Sequence, residues 1–132
     1  MADKYPKYVT QTAMKGLIQK IDLPAPDEFS QDWEYEVSDA ARVSEFLYAY
    51  ENVELTTDEK FALMIIIISS FDDAILEGSA ENNWSNLIRH HLLQDHRIHK
   101  HTILYWAMLD EEDMSNVYAV TPFMREIAHL FN

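Results

Sequence analysis

The sequence has no cysteine among its 132 residues, and it has only two glycines and four prolines. Without cysteine the chain has no disulfide framework, no thiol nucleophile and no cysteine ligand for zinc. Few glycines and prolines leave little material for the tight turns of hairpin-rich β proteins. Together these shortages favour a helical protein from a reducing compartment.

Long apolar runs are also missing. No segment approaches the roughly 18 consecutive apolar residues of a membrane span, and the start, MADKYPKYVTQTAMKG, has no apolar run of the kind found in signal peptides. We therefore expect a cytoplasmic protein that does not contact a membrane. Hydrophobic residues make up 48% of the chain, which is enough for one core, and the length predicts a single domain over residues 1–132.

Basic residues are scarce compared with acidic ones: ten lysines and arginines stand against 23 acidic residues, for a net charge of −13. The excess is concentrated in residues 22–59, where twelve acids and one arginine give −11. Residues 1–21 carry +3 and residues 60–132 carry −5. Such a chain repels nucleic acid and anionic membranes and attracts a basic protein.

Apolar residues recur at helical spacing in six segments, which predicts an all-α, single compact domain of about six helices. The central helix is expected from Thr57 to Glu77, because this segment is apolar on nearly every side, Thr56 and Glu59 have capping-box spacing, and Gly78 follows. The other helices are expected from near Pro6 to before Pro24, from Ser38 or Asp39 to Asn52, from Asn82 or Asn83 to Asp95, from Asp95 to Leu109, and from Thr121 to Phe131. In the last two, the predicted inner faces include Tyr105, Trp106, Leu109, Leu130 and Phe131.

Residues 22–38 combine prolines, acids and aromatic rings, which predicts a long ordered loop. Charge speeds the encounter with a basic partner, and aromatic anchors slow its dissociation. The predicted partner-binding residues are Asp27, Glu28, Phe29, Asp32, Trp33, Glu34, Tyr35 and Glu36. The alternative is that the rings fold inward as a lid on the helices, while the acids only keep the protein soluble.

Five of the six histidines lie within residues 90–101. On a helix only His96 and His99 share a face, whereas a closed zinc site needs about four ligands. The neighbouring Arg97 and Lys100 would repel a cation. We interpret the cluster as a polar helical hairpin with one packed imidazole, His91, and we expect no metal or other cofactor.

Acidic residues in the central helix support a different class of function. Asp73 and Glu77 lie one turn apart beside Asp72, a geometry that can hold Mg²⁺ and a diphosphate. Joined by His96 or His99, they would serve a small metal-dependent hydrolase or diphosphate-binding enzyme. The favoured interpretation is a non-enzymatic protein that binds a basic protein, of the antidote or immunity type by analogy of composition. A homodimer that buries the aromatic surface is a further alternative.

Overall fold

Helices account for all the regular structure in the part of the chain that is described. A computed structural model of the protein describes residues 6–27, 30 and 32–131. Within these residues the α-helices are α1 (Gln11–Lys20), α2 (Trp33–Glu36), α3 (Val43–Asn52), α4 (Thr57–Glu77), α5 (Trp84–Gln94), α6 (His96–Ala107) and α7 (Thr121–His129), with 3-10 turns at Ala40–Arg42 and Met114–Asn116. No strand occurs in these ranges, so the predicted all-α fold is confirmed.

The central helix of the fold is α4. Every residue from 61 to 72 is buried, so this helix is enclosed on all sides. Thr56 and Glu59 form a capping box at its start, and Gly78 ends it with a left-handed φ of 77°. The prediction of a central apolar helix is therefore confirmed, including both of its ends.

The other helices pack around α4. Helices α1, α2, α3 and α6 lie against it, and α7 reaches it through Phe123, whose ring meets that of Phe71 edge-on with centroids 5.7 Å apart. The remaining helix, α5, lies against α3, α6 and α7. One hydrophobic core results, to which α1 contributes Leu17, α3 contributes Phe46 and α7 contributes Met124. In the described residues, no helix combines the length and the hydrophobicity that a membrane span needs.

Residues 22–38 differ from the predicted loop because they contain α2. The side chain of Trp33 turns inward, leaving this residue only 5% exposed, and its Nε1 donates a hydrogen bond to Pro24 O at 2.8 Å. A buried indole N–H usually has such a partner. With Trp33 buried, residues 33–36 form a short helix. The described residues therefore contain seven α-helices, one more than predicted.

Several helix ends also differ from the prediction. α1 begins at Gln11, later than expected, because the Thr10 side chain caps it. α6 stops at Ala107, since Met108 takes a left-handed backbone conformation with φ 46°. Three residues predicted to face inward lie beyond the ends of α6 and α7 and are exposed: Leu109, Leu130 and Phe131.

A buried acid, Glu59, fixes the start of α4 against α1. Its Oε1 accepts hydrogen bonds from the Thr56 N–H at 2.9 Å and from Lys20 Nζ at 2.6 Å. Burial would raise the pKa of Glu59, but these two bonds outweigh burial and lower the pKa. The approach is so close that a Cβ at Gly16 would lie 1.9 Å from Glu59 Oε2.

The substitution Gly16→Ala therefore tests this contact. Helix propensity alone would stabilise the protein by up to about 1 kcal/mol, but the new methyl group must displace a carboxylate that makes two bonds. We expect a net loss of about 1 to 2 kcal/mol in the free energy of unfolding, measured by urea denaturation. In a Glu59→Ala background the same substitution should become stabilising, because the obstacle is gone. An equal effect in both backgrounds would contradict the contact.

Candidate functional site

The histidine-rich hairpin formed by α5 and α6 does not gather its imidazoles. His91 is buried, as predicted, and its Nε2 lies 2.9 Å from Glu51 Oε1. His96 stacks on Phe131, with ring centroids 4.6 Å apart. His99 is fully buried, which was not predicted from the sequence. The two histidines expected to share a face therefore lie in different surroundings.

His99 belongs to a hydrogen-bonded network with Tyr50 and Asp95. The Tyr50 hydroxyl lies 2.7 Å from Asp95 Oδ2 and 2.7 Å from His99 Nε2. Because a carboxylate only accepts, Tyr50 donates to Asp95, and His99 must donate from Nε2 to Tyr50. Burial lowers the pKa of His99 to about 4 and raises that of Tyr50, so both side chains are neutral at pH 7. The network ties α3 to the joint between α5 and α6.

The acids near the end of α4 are hydrogen-bond partners of neighbouring segments. Asp72 Oδ1 accepts the Val120 N–H at 2.9 Å, and Asp73 Oδ2 accepts from the Ser38 hydroxyl at 3.1 Å. Glu77 is exposed. In the described part of the chain, no three histidines or acids are placed so that they could hold a metal ion. The structure thus does not bring the residues of the alternative metal site, which also included His96 and His99, into one set of ligands.

The predicted partner-binding segment has inward and outward parts. Trp33 is buried, which is what the lid alternative expected of this ring. Glu34 and Tyr35 are half-buried, and burial raises the pKa of both side chains. Three of the acids are exposed: Asp27, Asp32 and Glu36. Two further residues of the prediction, Glu28 and Phe29, lie outside the described residues.

Tyr35 lines a cleft of about 550 Å³ that combines aromatic rings with carboxylates. We call it the tyrosine cleft, and its lining residues are Asp32, Tyr35, Ser69, Asp72, Tyr105, Trp106 and Tyr118. The ring centroid of Trp106 lies 4.5 Å from that of Tyr118 and 6.1 Å from that of Tyr35. Tyr105 is 51% exposed and Tyr118 is 37% exposed, so the cleft has aromatic surface within reach of a partner.

Three hydroxyl groups, those of Tyr105, Tyr118 and Thr121, organise one side of the tyrosine cleft. The Tyr105 and Tyr118 hydroxyls are hydrogen-bonded at 3.1 Å, and this bond together with burial raises the pKa of Tyr118 to about 12. The Thr121 hydroxyl accepts the Tyr118 N–H at 3.2 Å and donates to Trp106 O at 2.8 Å. The phenol of Tyr118 therefore stays neutral at pH 7, and ring faces of this kind attract cations.

Of the aromatic wall, only Tyr35 was predicted from the sequence to take part in binding. Tyr105 was predicted to face the core, and this is wrong: the buried face of α6 includes His99, Thr102 and Trp106, and Tyr105 lies beside it. These three residues follow the spacing of i, i+3 and i+7 that marks one helix face. The signal in the sequence is this spacing: an inner face drawn through His99, Thr102 and Trp106 leaves Tyr105 outside the core.

The chain matches no protein-family model, no curated protein and no solved structure. Any function must therefore be inferred from the geometry and the charge of the described residues.

The protonation of His99 predicts how stability depends on pH. The pKa of His99 is lowered to about 4 in the folded protein from an ordinary value of 6.5, so its contribution is complete above pH 6.5 and is lost as the pH falls toward 4. The full contribution of His99 to the free energy of unfolding is about 3 kcal/mol, of which about 1 kcal/mol is already lost at pH 5.5. Urea denaturation at pH 7.5, 6.5 and 5.5 should show this loss in the wild type and not in His99→Leu.

The exposed histidine at the end of α7 provides the matched control. His129→Gln should keep the pH dependence of the wild type, because it leaves the buried network intact. If the difference in unfolding free energy between the wild type and His99→Leu is the same at all three pH values, His99 is not held neutral by burial.

Proposed function

We propose that the protein is a non-enzymatic interaction protein that binds a basic protein partner, and that the tyrosine cleft receives an arginine or lysine side chain of that partner. The observation that carries this proposal is the meeting of Asp32 and Asp72 with three tyrosine rings in one cleft. Carboxylates attract a cation by charge, and aromatic faces attract it through their quadrupole. None of the lining residues is a lysine or an arginine that would compete.

Asp72 is well suited to be the counter-ion. Its side chain is largely buried, and burial raises its pKa because the ionised form is poorly solvated. A guanidinium placed beside Asp72 would compensate for the lost solvation, whereas an uncharged side chain would not. The cleft therefore favours a cationic side chain over a neutral one of the same shape.

Charge at longer range supports the same proposal. The net charge of −13 attracts a basic protein before contact, and this steering weakens as salt screens it. Asp32 and Glu34 lie on the segment that contributes Tyr35 to the cleft. Fast capture of a basic protein suits a cytoplasmic inhibitor of the antidote or immunity type, which is the kind of protein we propose.

The structure changes which aromatic side chains would anchor the partner. Trp33 was one of the expected anchors, but it is buried and bonded to Pro24, so it holds α2 in place. Tyr35, Tyr105 and Tyr118 are partly exposed and have polar tips, and tyrosine is enriched among the residues that dominate binding energy at interfaces.

A titration with a basic peptide tests the proposal. The probe is a blocked peptide in which arginine and glycine alternate, added to the isotope-labelled full chain and followed by NMR. We expect shifts at Tyr105, Tyr118 and Asp72, a dissociation constant that rises steeply with salt, and an increase of about fivefold in that constant for Tyr105→Leu, because a cation–π contact is lost.

Two controls separate the cleft from general attraction to an acidic protein. Tyr48→Leu removes a tyrosine that is 67% exposed on α3, outside the tyrosine cleft, and should leave the dissociation constant unchanged. A peptide with citrulline in place of arginine has the same shape without the charge and should not bind. Equal binding of the two peptides, or shifts spread over the surface with none in the cleft, would contradict the proposal. A free protein that sediments as a dimer through these tyrosines would support the homodimer instead.

A further inference from the structure

A second cleft, of about 240 Å³, shares Tyr35, Tyr105 and Trp106 with the tyrosine cleft but is otherwise lined by different residues. We call it the Thr102 cleft, and its other lining residues are Lys7, Tyr8, Phe61, Ile65, His101 and Thr102. Phe61 and Ile65 are one turn apart on α4, and Thr102 and Trp106 are one turn apart on α6. Two packed helices therefore provide its walls.

Three buried side-chain atoms, all on α6, have no hydrogen-bond partner among the described residues: His99 Nδ1, Thr102 Oγ1 and Trp106 Nε1. Two of the three belong to residues that line the Thr102 cleft, Thr102 and Trp106. Thr102 is 4% exposed and Trp106 is 3% exposed. By contrast, the indole N–H groups of Trp33 and Trp84 both donate to protein oxygens. An unpaired buried donor lowers the stability of the protein. A hydrogen bond from Trp106 or Thr102 to a ligand would therefore add more binding free energy than a bond at the solvated surface.

The charge of the Thr102 cleft differs from that of the tyrosine cleft. Its lining includes Lys7 and no acidic residue, whereas the tyrosine cleft is lined by Asp32 and Asp72 and by no lysine or arginine. In a chain with a net charge of −13, such a lining lets an anion approach without a carboxylate in direct contact.

We propose that the Thr102 cleft binds a small aromatic carboxylate. The ring of the ligand packs on Phe61 and Ile65, its carboxylate accepts from the Trp106 N–H and the Thr102 hydroxyl, and Lys7 balances its charge. A cavity of about 150 Å³ is enough for benzene, so the volume of about 240 Å³ holds one ring with a short acidic substituent. This site goes beyond the proposed function and does not rest on it, because neither acid of the tyrosine cleft lines it.

Phenylacetate is the probe for this site. It is titrated into the isotope-labelled full chain and followed by NMR, with the methyl groups of Thr102 and Ile65 as reporters. We expect saturable shifts of both methyl groups at millimolar phenylacetate and a downfield shift of the Trp106 indole N–H as it gains an acceptor. The indole signals of Trp33 and Trp84 serve as internal references and should not move, because those N–H groups already have acceptors.

Matched variants test the role of each polar group. Thr102→Val keeps the shape of the side chain and removes the hydroxyl, so it should raise the dissociation constant for phenylacetate about tenfold. The same variant should melt at the wild-type temperature or above it, because it removes a buried hydroxyl without a partner. Trp106→Phe should abolish the saturable shifts of the Thr102 and Ile65 methyl groups. Leu104→Ala, on the exposed side of α6, should leave the affinity for phenylacetate unchanged.

Several outcomes would overturn this inference. They are the absence of saturable shifts at Thr102 and Ile65, an unchanged affinity in Thr102→Val, or equal binding in this cleft of benzylamine, whose ring is the same and whose charge is opposite. Binding of the arginine peptide is read at Tyr118, which does not line the Thr102 cleft. The failure of one proposal can therefore be told from the failure of the other.

Discussion

The burial of α4 is the constraint on which the rest of the structure depends. A helix enclosed by protein has little water near its polar side chains, so each of them needs a protein partner. Ser70 accepts the Asp39 N–H at 2.9 Å, Asp73 accepts from a hydroxyl in the same segment, and Asp72 accepts the Val120 N–H. These bonds fix the segment before α3 and the segment before α7. Side chains that resemble a catalytic cluster in the sequence are the points to which two connecting segments attach.

α6 meets the same requirement only in part. His99 Nε2 is paired with Tyr50, and the Trp106 carbonyl accepts from Thr121, but His99 Nδ1, Thr102 Oγ1 and Trp106 Nε1 have no partner among the described residues. In most proteins buried polar groups are satisfied, so each exception calls for a physical reason. Here all three exceptions lie on the buried face of α6, and two of them, on Thr102 and Trp106, belong to residues that line the Thr102 cleft.

Much of the fold could be predicted because its signals are local. The capping box at Thr56 and Glu59 and the left-handed Gly78 mark α4 by spacing alone. The inward turn of Trp33 could not be predicted in this way, because an alternation of acids and rings does not say which way a ring points, and its partner is a carbonyl group nine residues earlier. The tyrosine cleft is harder still to predict from the sequence, because its residues come from four separate segments that only the packing of the helices brings together.

Thr121 shows how little of the tyrosine cleft is determined by the rings themselves. Its hydroxyl is fully buried and joins the Tyr118 backbone to the Trp106 backbone, so one oxygen atom spaces two of the aromatic walls. Serine would keep both bonds, whereas valine would remove them and leave the buried Trp106 carbonyl without this donor. The spacing of these two walls of the tyrosine cleft thus depends on the first turn of α7, a helix that contributes no side chain to the lining.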